Sequence, residues 1–142
     1  MKFSYSLIKK FVPRLPAKQK LAEAINLHSF EVESVKADIL DINLPPNRYS
    51  DCASHIGIAR EAAAIFSLTL KNPVMRIVNP PTNQGRFSVE VKNKKLCPRY
   101  VARLFEVKKI GFSPAWLIKI LKDCGLKPIN YIVDLMNYVM LE

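Results

Sequence analysis

Apolar residues recur along this chain in two periods, and the change from one to the other marks out its elements. Leu7, Ile8, Phe11 and Val12 repeat at helical spacing with Lys9 and Lys10 opposite, which predicts a short first helix. Pro13 and Pro16 bracket a turn, and Pro16 suits the first turn of a second helix, where the N–H it lacks would have no partner. That helix is expected to run to about His28 with Leu21, Ala24, Ile25 and His28 on one side. The period then drops to two. The run Phe30-Glu-Val-Glu-Ser-Val35 puts Phe30 and Val32 on one face, and Leu40, Ile42 and Leu44 alternate with Asp41 and Asn43. Only Lys36-Ala37 or so joins these strands, which predicts a tight antiparallel hairpin. Pro45-Pro46 ends the second strand, because proline cannot donate to a ladder. Ser50 or Asp51 is placed to cap a third helix reaching about Phe66. Gly57 inside it costs about 1 kcal/mol relative to Ala, which implies a backbone neighbour packed close against it.

The second half is differently punctuated. Residues 71–86 contain Pro73, Pro80, Pro81 and Gly85 without sustained periodicity, the best candidate for a domain boundary. Phe87-Ser-Val-Glu-Val91 alternates strictly and reads as a strand; after a lysine-rich turn, Tyr100 to Val107 is apolar on both faces, as a central strand would be. Ser113 is expected to cap the next helix, with Pro114 in its first position, Gly125 closing it and Pro128 beyond. Trp116, Leu117, Ile120 and Leu121 form its stripe. From Lys127 to Glu142 the chain reads as a last helix with no Gly or Asn at its end and no basic last turn, so the expectation is an element that continues in a longer protein. Val133, Met136 and Met140 on it have no obvious cover. The fold class expected is α+β: a small N-terminal α+β domain over residues 1–70, a linker over 71–86, and an incomplete α+β domain over 87–142.

Composition narrows the class. Hydrophobic residues make up 49% of the 142, a globular value far from disorder. The apolar runs are too short and too interrupted for a membrane span, and Met1-Lys-Phe-Ser-Tyr-Ser lacks the order of a signal peptide, so a cytoplasmic address is expected. Cys52, Cys97 and Cys124 are odd in number and form no C-x-x-C, and His28 and His55 add no ligand spacing. They read as reduced, ordinary residues, with no metal site. The net charge of +10 is uneven: residues 1–69 hold nine Lys/Arg against seven Asp/Glu, residues 70–142 thirteen against five. That asymmetry fits an anionic partner such as nucleic acid, and equally a merely solvated basic surface. Lys92, Lys94, Lys95 and Arg99 cluster at one turn, with Arg103, Lys108 and Lys109 following; Lys94, Lys95 and Arg99 are the candidate phosphate contacts. Tyr100 and Phe105 are the nearby rings and read as core, so stacking on single-stranded bases is not indicated.

Four segments, in order, resemble the β subunit of bacterial phenylalanyl-tRNA synthetase. They are Met1-Lys-Phe-Ser-Tyr-Ser, Phe30-Glu-Val-Glu-Ser-Val35, the run from Asn47-Arg-Tyr-Ser-Asp to Ala59-Arg-Glu61, and the stretch from Cys97-Pro-Arg-Tyr100 through Ser113-Pro-Ala-Trp-Leu117 to Val133-Asp-Leu-Met-Asn-Tyr-Val139. The resemblance implies a small N-terminal α+β domain followed by the opening of the editing domain, which in the family hydrolyses tRNA mischarged with tyrosine. It implies an α subunit carrying the aminoacylation site with its ATP and Mg2+, phenylalanine tRNA and the rest of the β chain as partners, and a tetramer of two α and two β chains. Two departures stand out. The family's inserted OB-type tRNA-binding module after the Phe-Glu-Val-Glu-Ser strand is absent here. The family's Thr-Asn pair, which lines the editing pocket before the tyrosine matching Tyr138, is Met136-Asn137. Met136 has no hydroxyl to donate, and discriminating tyrosine from phenylalanine depends on placed polar groups. The family's His-bearing segment would lie just past Glu142. No catalytic residue is therefore assigned within these residues.

The remaining polar candidates have structural readings beside functional ones. Asp134 and Glu142 are eight residues apart, about 12 Å along a helix, too far for one acid–base pair; Asp134 is expected to cap or to pair with a nearby cation. Asn47-Arg48 either presents a phosphate site at a helix N-terminus or shapes a turn with Arg48 bridging to Asp51 or Glu61. The rival to a synthetase fragment is a stand-alone, non-catalytic basic module that binds RNA or protein. A free-standing editing hydrolase is disfavoured, because a pocket needs walls from more elements than two strands and two helices.

Overall fold

Phe3, Leu7, Ile8 and Leu40, all fully buried, mark where the N-terminal elements meet. The computed structural model describes residues 1–73, 88–102, 104 and 106–142. The chain divides into two compact units, Met1–Pro73 together with Ile110–Glu142, and Val74–Lys109. The fold is α+β, several helices around a three-stranded antiparallel sheet.

In the first unit, α1 (Tyr5–Phe11) begins at Ser4, whose Oγ accepts the Leu7 N–H at 3.2 Å, and buries Leu7, Ile8 and Phe11. Helix α2 (Lys18–His28) buries Leu21, Ala22 and Ile25. His28 was expected on this face and is exposed instead. It closes the helix: the N–H groups of Ser29 and Phe30 both return to the Ile25 carbonyl at 2.9 Å, and the chain leaves for the sheet. Strands β2 (Glu31–Lys36) and β3 (Ile39–Asn43) form the expected hairpin, its turn made by Ala37 at φ 48°. That turn is the whole connection between the two strands, so no module is inserted there. A strand unseen in the sequence, β1 (Lys2–Ser4), pairs with β3 in the register Phe3 to Leu40 and makes β3 central. Three residues are too few to display a period of two.

The single helix expected from Ser50 to Phe66 is two. A 3-10 turn (Pro46–Arg48) leads into α3 (Tyr49–Cys52); the chain breaks, and α4 (His55–Ile65) starts afresh with Ser54 Oγ accepting the Gly57 N–H at 3.1 Å. Gly57 shows why. A Cβ there would lie 2.3 Å from the Asp51 carbonyl oxygen and 2.8 Å from Cys52 Cα, so the close neighbour is α3 itself. Its sister helix α3 can fold back onto α4 only over a residue without a side chain.

Helices α5 (Ala115–Asp123) and α6 (Tyr131–Leu141) pack on the same core. Leu117 and Leu121 of α5 are fully buried, each worth about 1.5–3 kcal/mol of transfer free energy, while Trp116 of the expected stripe is half exposed. Gly125, at φ 86°, closes α5 in the left-handed conformation that favours glycine. Ser113 does not cap α5 as expected. Pro114 takes the cap position without a side-chain bond, and its carbonyl receives the N–H groups of Leu117 and Ile118.

The strands expected at 87–91 and 100–107 fall in the second unit. Phe87, Arg103 and Phe105 lie outside the described residues, as does 74–86 of the expected linker. The described residues of both segments carry no strand. Alternation prepares a segment for a sheet, but a strand exists only where its N–H and C=O groups meet a ladder partner.

Gly57→Ala is expected to cost about 1–3 kcal/mol by overpacking against backbone, measured as a fall in the urea midpoint at unchanged slope.

Candidate functional site

Helix α6 carries the residues expected to line a pocket, and its anchoring decides which of them face outward. Asp134, Tyr138 and Leu141, spaced four and three apart, are its buried residues. The opposite face is apolar yet open: Met136 is 67% exposed, Val139 59% and Met140 62%. Asn137 is half-buried beside Tyr138. Asn130 caps the helix, its Oδ1 accepting the N–H groups of Ile132 and Val133 at 3.1 Å.

Each inward residue has a specific tether. Asp134, 1% exposed, accepts the Ser113 hydroxyl at 2.5 Å on one oxygen and the Ile129 N–H at 2.8 Å on the other. This is what removes Ser113 from capping α5: a buried carboxylate needs donors more than a helix start does, since water can serve the latter. Asp134 is structural, as expected, though its partners are a hydroxyl and a backbone N–H and not a cation. Tyr138 receives a hydrogen bond from Lys10 Nζ at 3.1 Å and meets Trp116 edge-on at 5.5 Å. The Lys10 ammonium lies 5.4 Å from the Tyr138 ring centre and 5.6 Å from that of Trp116, so one cation of α1 is shared by α5 and α6. Burial first, and then the Glu142 carboxylate, push the Tyr138 hydroxyl above its ordinary value.

At the far end of α6 the tether is His55, which stands out in the sequence only for its lack of a metal-ligand spacing. Its Nε2 accepts the Ser4 N–H at 2.9 Å, so the proton of the neutral ring sits on Nδ1, which donates to the Leu141 carbonyl at 2.5 Å. The adjacent Ile56 N–H donates to the Glu142 carbonyl oxygen at 2.7 Å. Burial is the main cause that lowers the His55 pKa below its ordinary value. No local pattern could have announced this residue, because its partners lie 51 and 86 positions away.

Other candidates resolve on contact geometry. Arg48 bridges to Asp51 at 2.8 Å and to Glu61 at 2.6 Å, lies over the Phe30 ring at 5.1 Å, and is held strongly cationic by the two carboxylates; the structural reading of Asn47-Arg48 holds. Ligand atoms of Asp51, Cys52 and Glu61 come within 4.8 Å of one another. The Arg48 guanidinium bonds to all three, which supplies the positive charge that such a cluster would otherwise seek. Burial pushes the thiols of Cys52 and Cys124 up to about 11, so neither offers a thiolate nucleophile near neutrality. A shallow hollow lined by Lys2, Ser34, Lys36, Ile39, Asp41 and Asp123 contains none of the expected site residues.

In the second unit, Asn93 shapes the lysine-rich turn: its Oδ1 accepts the N–H groups of Lys95 and Leu96 at 3.1 Å, and its carbonyl accepts that of Cys97 at 3.0 Å. Lys92, Lys94, Lys95 and Arg99 are all exposed around it. Tyr100, expected in the core, is 63% exposed; without a ladder its segment has no buried face to place it on. Among the described residues, no helix is long and apolar enough to cross a membrane.

Comparison with known proteins bears on both compact units. Residues 96–142 match the model of the B3/4 domain, so the chain joins part of such a domain to the N-terminal sheet and helices. Over 104 residues, 72% of this chain, it is 47% identical to the β subunit of phenylalanine–tRNA ligase from Desulfotalea psychrophila, of which it covers 12%. The corresponding protein of Coxiella burnetii is 49% identical over 73% of the chain, 13% of that relative, and that of Carboxydothermus hydrogenoformans 36% identical over 92%, 15% of that relative. Over most of its length this chain is thus similar to β subunits of phenylalanine–tRNA ligase, and over residues 96–142 to the B3/4 domain. The chain spans 12–15% of the length of these relatives. No solved structure matches it.

Asp134→Ala removes the acceptor of the buried Ser113 hydroxyl and of the part-buried Ile129 N–H and is expected to cost about 1–3 kcal/mol for the hydroxyl left unpaired, read from urea denaturation followed by the fluorescence of Trp116.

Proposed function

We propose that this chain is the N-terminal part of the β subunit of a cytoplasmic phenylalanine–tRNA ligase, in which residues 1–70 form a small α+β domain, 71–86 a linker and 87–142 the opening of the editing domain. The observation that carries the reading is the likeness to β subunits over most of the chain together with the B3/4 match over 96–142. In this reading the whole enzyme, two α and two β chains, joins phenylalanine to its tRNA at the expense of ATP. ATP and Mg2+ serve the aminoacylation site, which the resemblance assigns to the α subunit; no residue of this chain is given a role toward them.

The contribution of α6 is to hold Asn137 and Met136 at the floor of the editing site. Its inward stripe is locked by Ser113, Lys10 and His55, so the outward residues are presented on a rigid element, as pocket residues need to be. Asn137 offers an amide to the amino acid or to the tRNA end. Met136 offers bulk and a thioether where the family has a hydroxyl, which weakens the discrimination of tyrosine from phenylalanine. The exposed Lys94, Lys95 and Arg99 supply phosphate contacts that are indifferent to base sequence.

Purified alone, the 142 residues are expected neither to aminoacylate nor to deacylate; hydrolysis of tyrosyl-tRNA by this chain in a filter assay would refute the assignment of the chemistry elsewhere. For tRNA binding, replacing Lys94, Lys95 and Arg99 with Glu should weaken the complex and flatten its salt dependence. Removing one cation from a phosphate lowers the slope of log K against log salt by about 0.7–0.9. An unchanged slope would remove these residues from the interface. Tight binding to unrelated RNAs as strong as to phenylalanine tRNA would favour a general basic module instead.

A further inference from the structure

We propose that His55 is a pH-dependent latch: its neutral imidazole joins the start of α1 to the last turn of α6, and protonation of the ring releases α6 from the N-terminal core. The geometry admits one protonation state. The Ser4 N–H points at Nε2 from 2.9 Å, and the Leu141 carbonyl lies 2.5 Å from Nδ1. A second proton on the ring would set N–H against N–H at Ser4. Turning the ring over does not help, since both nitrogens of an imidazolium carry protons. The ring is 1% exposed and packed edge-on against Phe3 at 5.3 Å, so the ion cannot reach water without opening its surroundings.

The side that yields is α6. Strand β1 is held by its ladder with β3 and by the terminal ammonium on Asp41 and the Ile42 carbonyl, with Phe3 fully buried. Among the described residues, helix α6 buries Asp134, Tyr138 and Leu141, takes one further bond from the Ile56 N–H at the Glu142 carbonyl, and leaves Met136, Val139 and Met140 exposed on its other face. The charged and titratable groups around the ring come from three elements. Glu142 at the end of α6 and Asp38 in the hairpin turn both favour the imidazolium, and burial outweighs them. Cys124, after α5, has its Sγ 3.9 Å from Nε2 and stays a neutral thiol. The folded ring therefore titrates below the ordinary value of about 6.5. Between the two values the unfolded chain binds more protons, so stability rises with pH. The stabilisation from the latch is complete above about 6.5 and is lost as pH falls toward the lowered value.

The chain has two histidines and one tryptophan, which makes the test clean. Trp116 touches Tyr138 of α6 and reports its departure. Trp116 emission is followed from pH 8 to 4 in the parent chain, in His28→Asn and in His55→Asn, whose amide can still donate to Leu141 but does not titrate. Long-range 1H–15N correlation on the parent chain fixes the tautomer independently of any variant. The expected result is an Nδ1–H tautomer for His55 and an emission change with its midpoint below about 6.5, kept in His28→Asn and lost in His55→Asn. An Nε2–H tautomer, or the same emission change in His55→Asn, would overturn the latch. Should His55→Asn fail to fold, the decision rests on the tautomer and on whether the His55 ring signals titrate together with Trp116 emission; titration at separate midpoints would also overturn it.

Discussion

The first unit is organised around Ser4, a polar residue that is 1% exposed and whose N–H and hydroxyl together reach three different elements. Its N–H goes to His55 of α4, its hydroxyl accepts from Leu7 in α1, and the same hydroxyl donates to Asp38 in the hairpin turn at 2.7 Å. Asp38 also accepts the Ser6 hydroxyl, and its carbonyl receives the Tyr5 N–H, so the turn between β2 and β3 is bound to the start of α1. A buried polar group left unpaired costs more than most single contacts gain. The relative placement of sheet, α1 and α4 is therefore set by the need to satisfy these few atoms at once, within a core whose apolar packing alone would tolerate other arrangements.

The same logic extends to α6. Its sequence is apolar nearly all round, and such a helix has no intrinsic preference for one face. What orients it is a row of polar tethers on one side: Asp134 to Ser113 and Ile129, Tyr138 to Lys10, and the Leu141 carbonyl to His55. Large apolar side chains then remain outside, and Met136 and Asn137 are displayed among them. Specificity of orientation here comes from polar atoms, while the favourable transfer free energy comes from Leu117, Leu121 and Leu141 beneath.

Much of the fold was legible. The hairpin, α1 and α2, and the existence of α5 and α6 follow from the spacing of apolar residues, from proline and glycine positions and from short connections. Arg48 could be assigned to a carboxylate, because Asp51 and Glu61 lie close on the same chain segment. The failures share a cause. Strand β1 is too short to carry a period; the break between α3 and α4 depends on how closely two backbones approach at Gly57; and Ser113, a strong cap by sequence, is claimed by a carboxylate 21 residues away. The segment at 88–91 alternates and that at 100–107 is apolar on both faces, and still neither forms a strand among the described residues, because pairing is a property of two segments.

The likeness to β subunits, and the expectation that Met136 departs from their pattern, could be stated from the order of motifs, since they depend on residue identity along the line of the chain. The tertiary structure alone decided which polar atoms meet. His55 illustrates the division: nothing within a helical turn of it distinguishes it from any other core histidine. Its tautomer, and with it the sensitivity to protons, arises only when Ser4 and Leu141, 51 residues before it and 86 after, are brought to opposite edges of one ring.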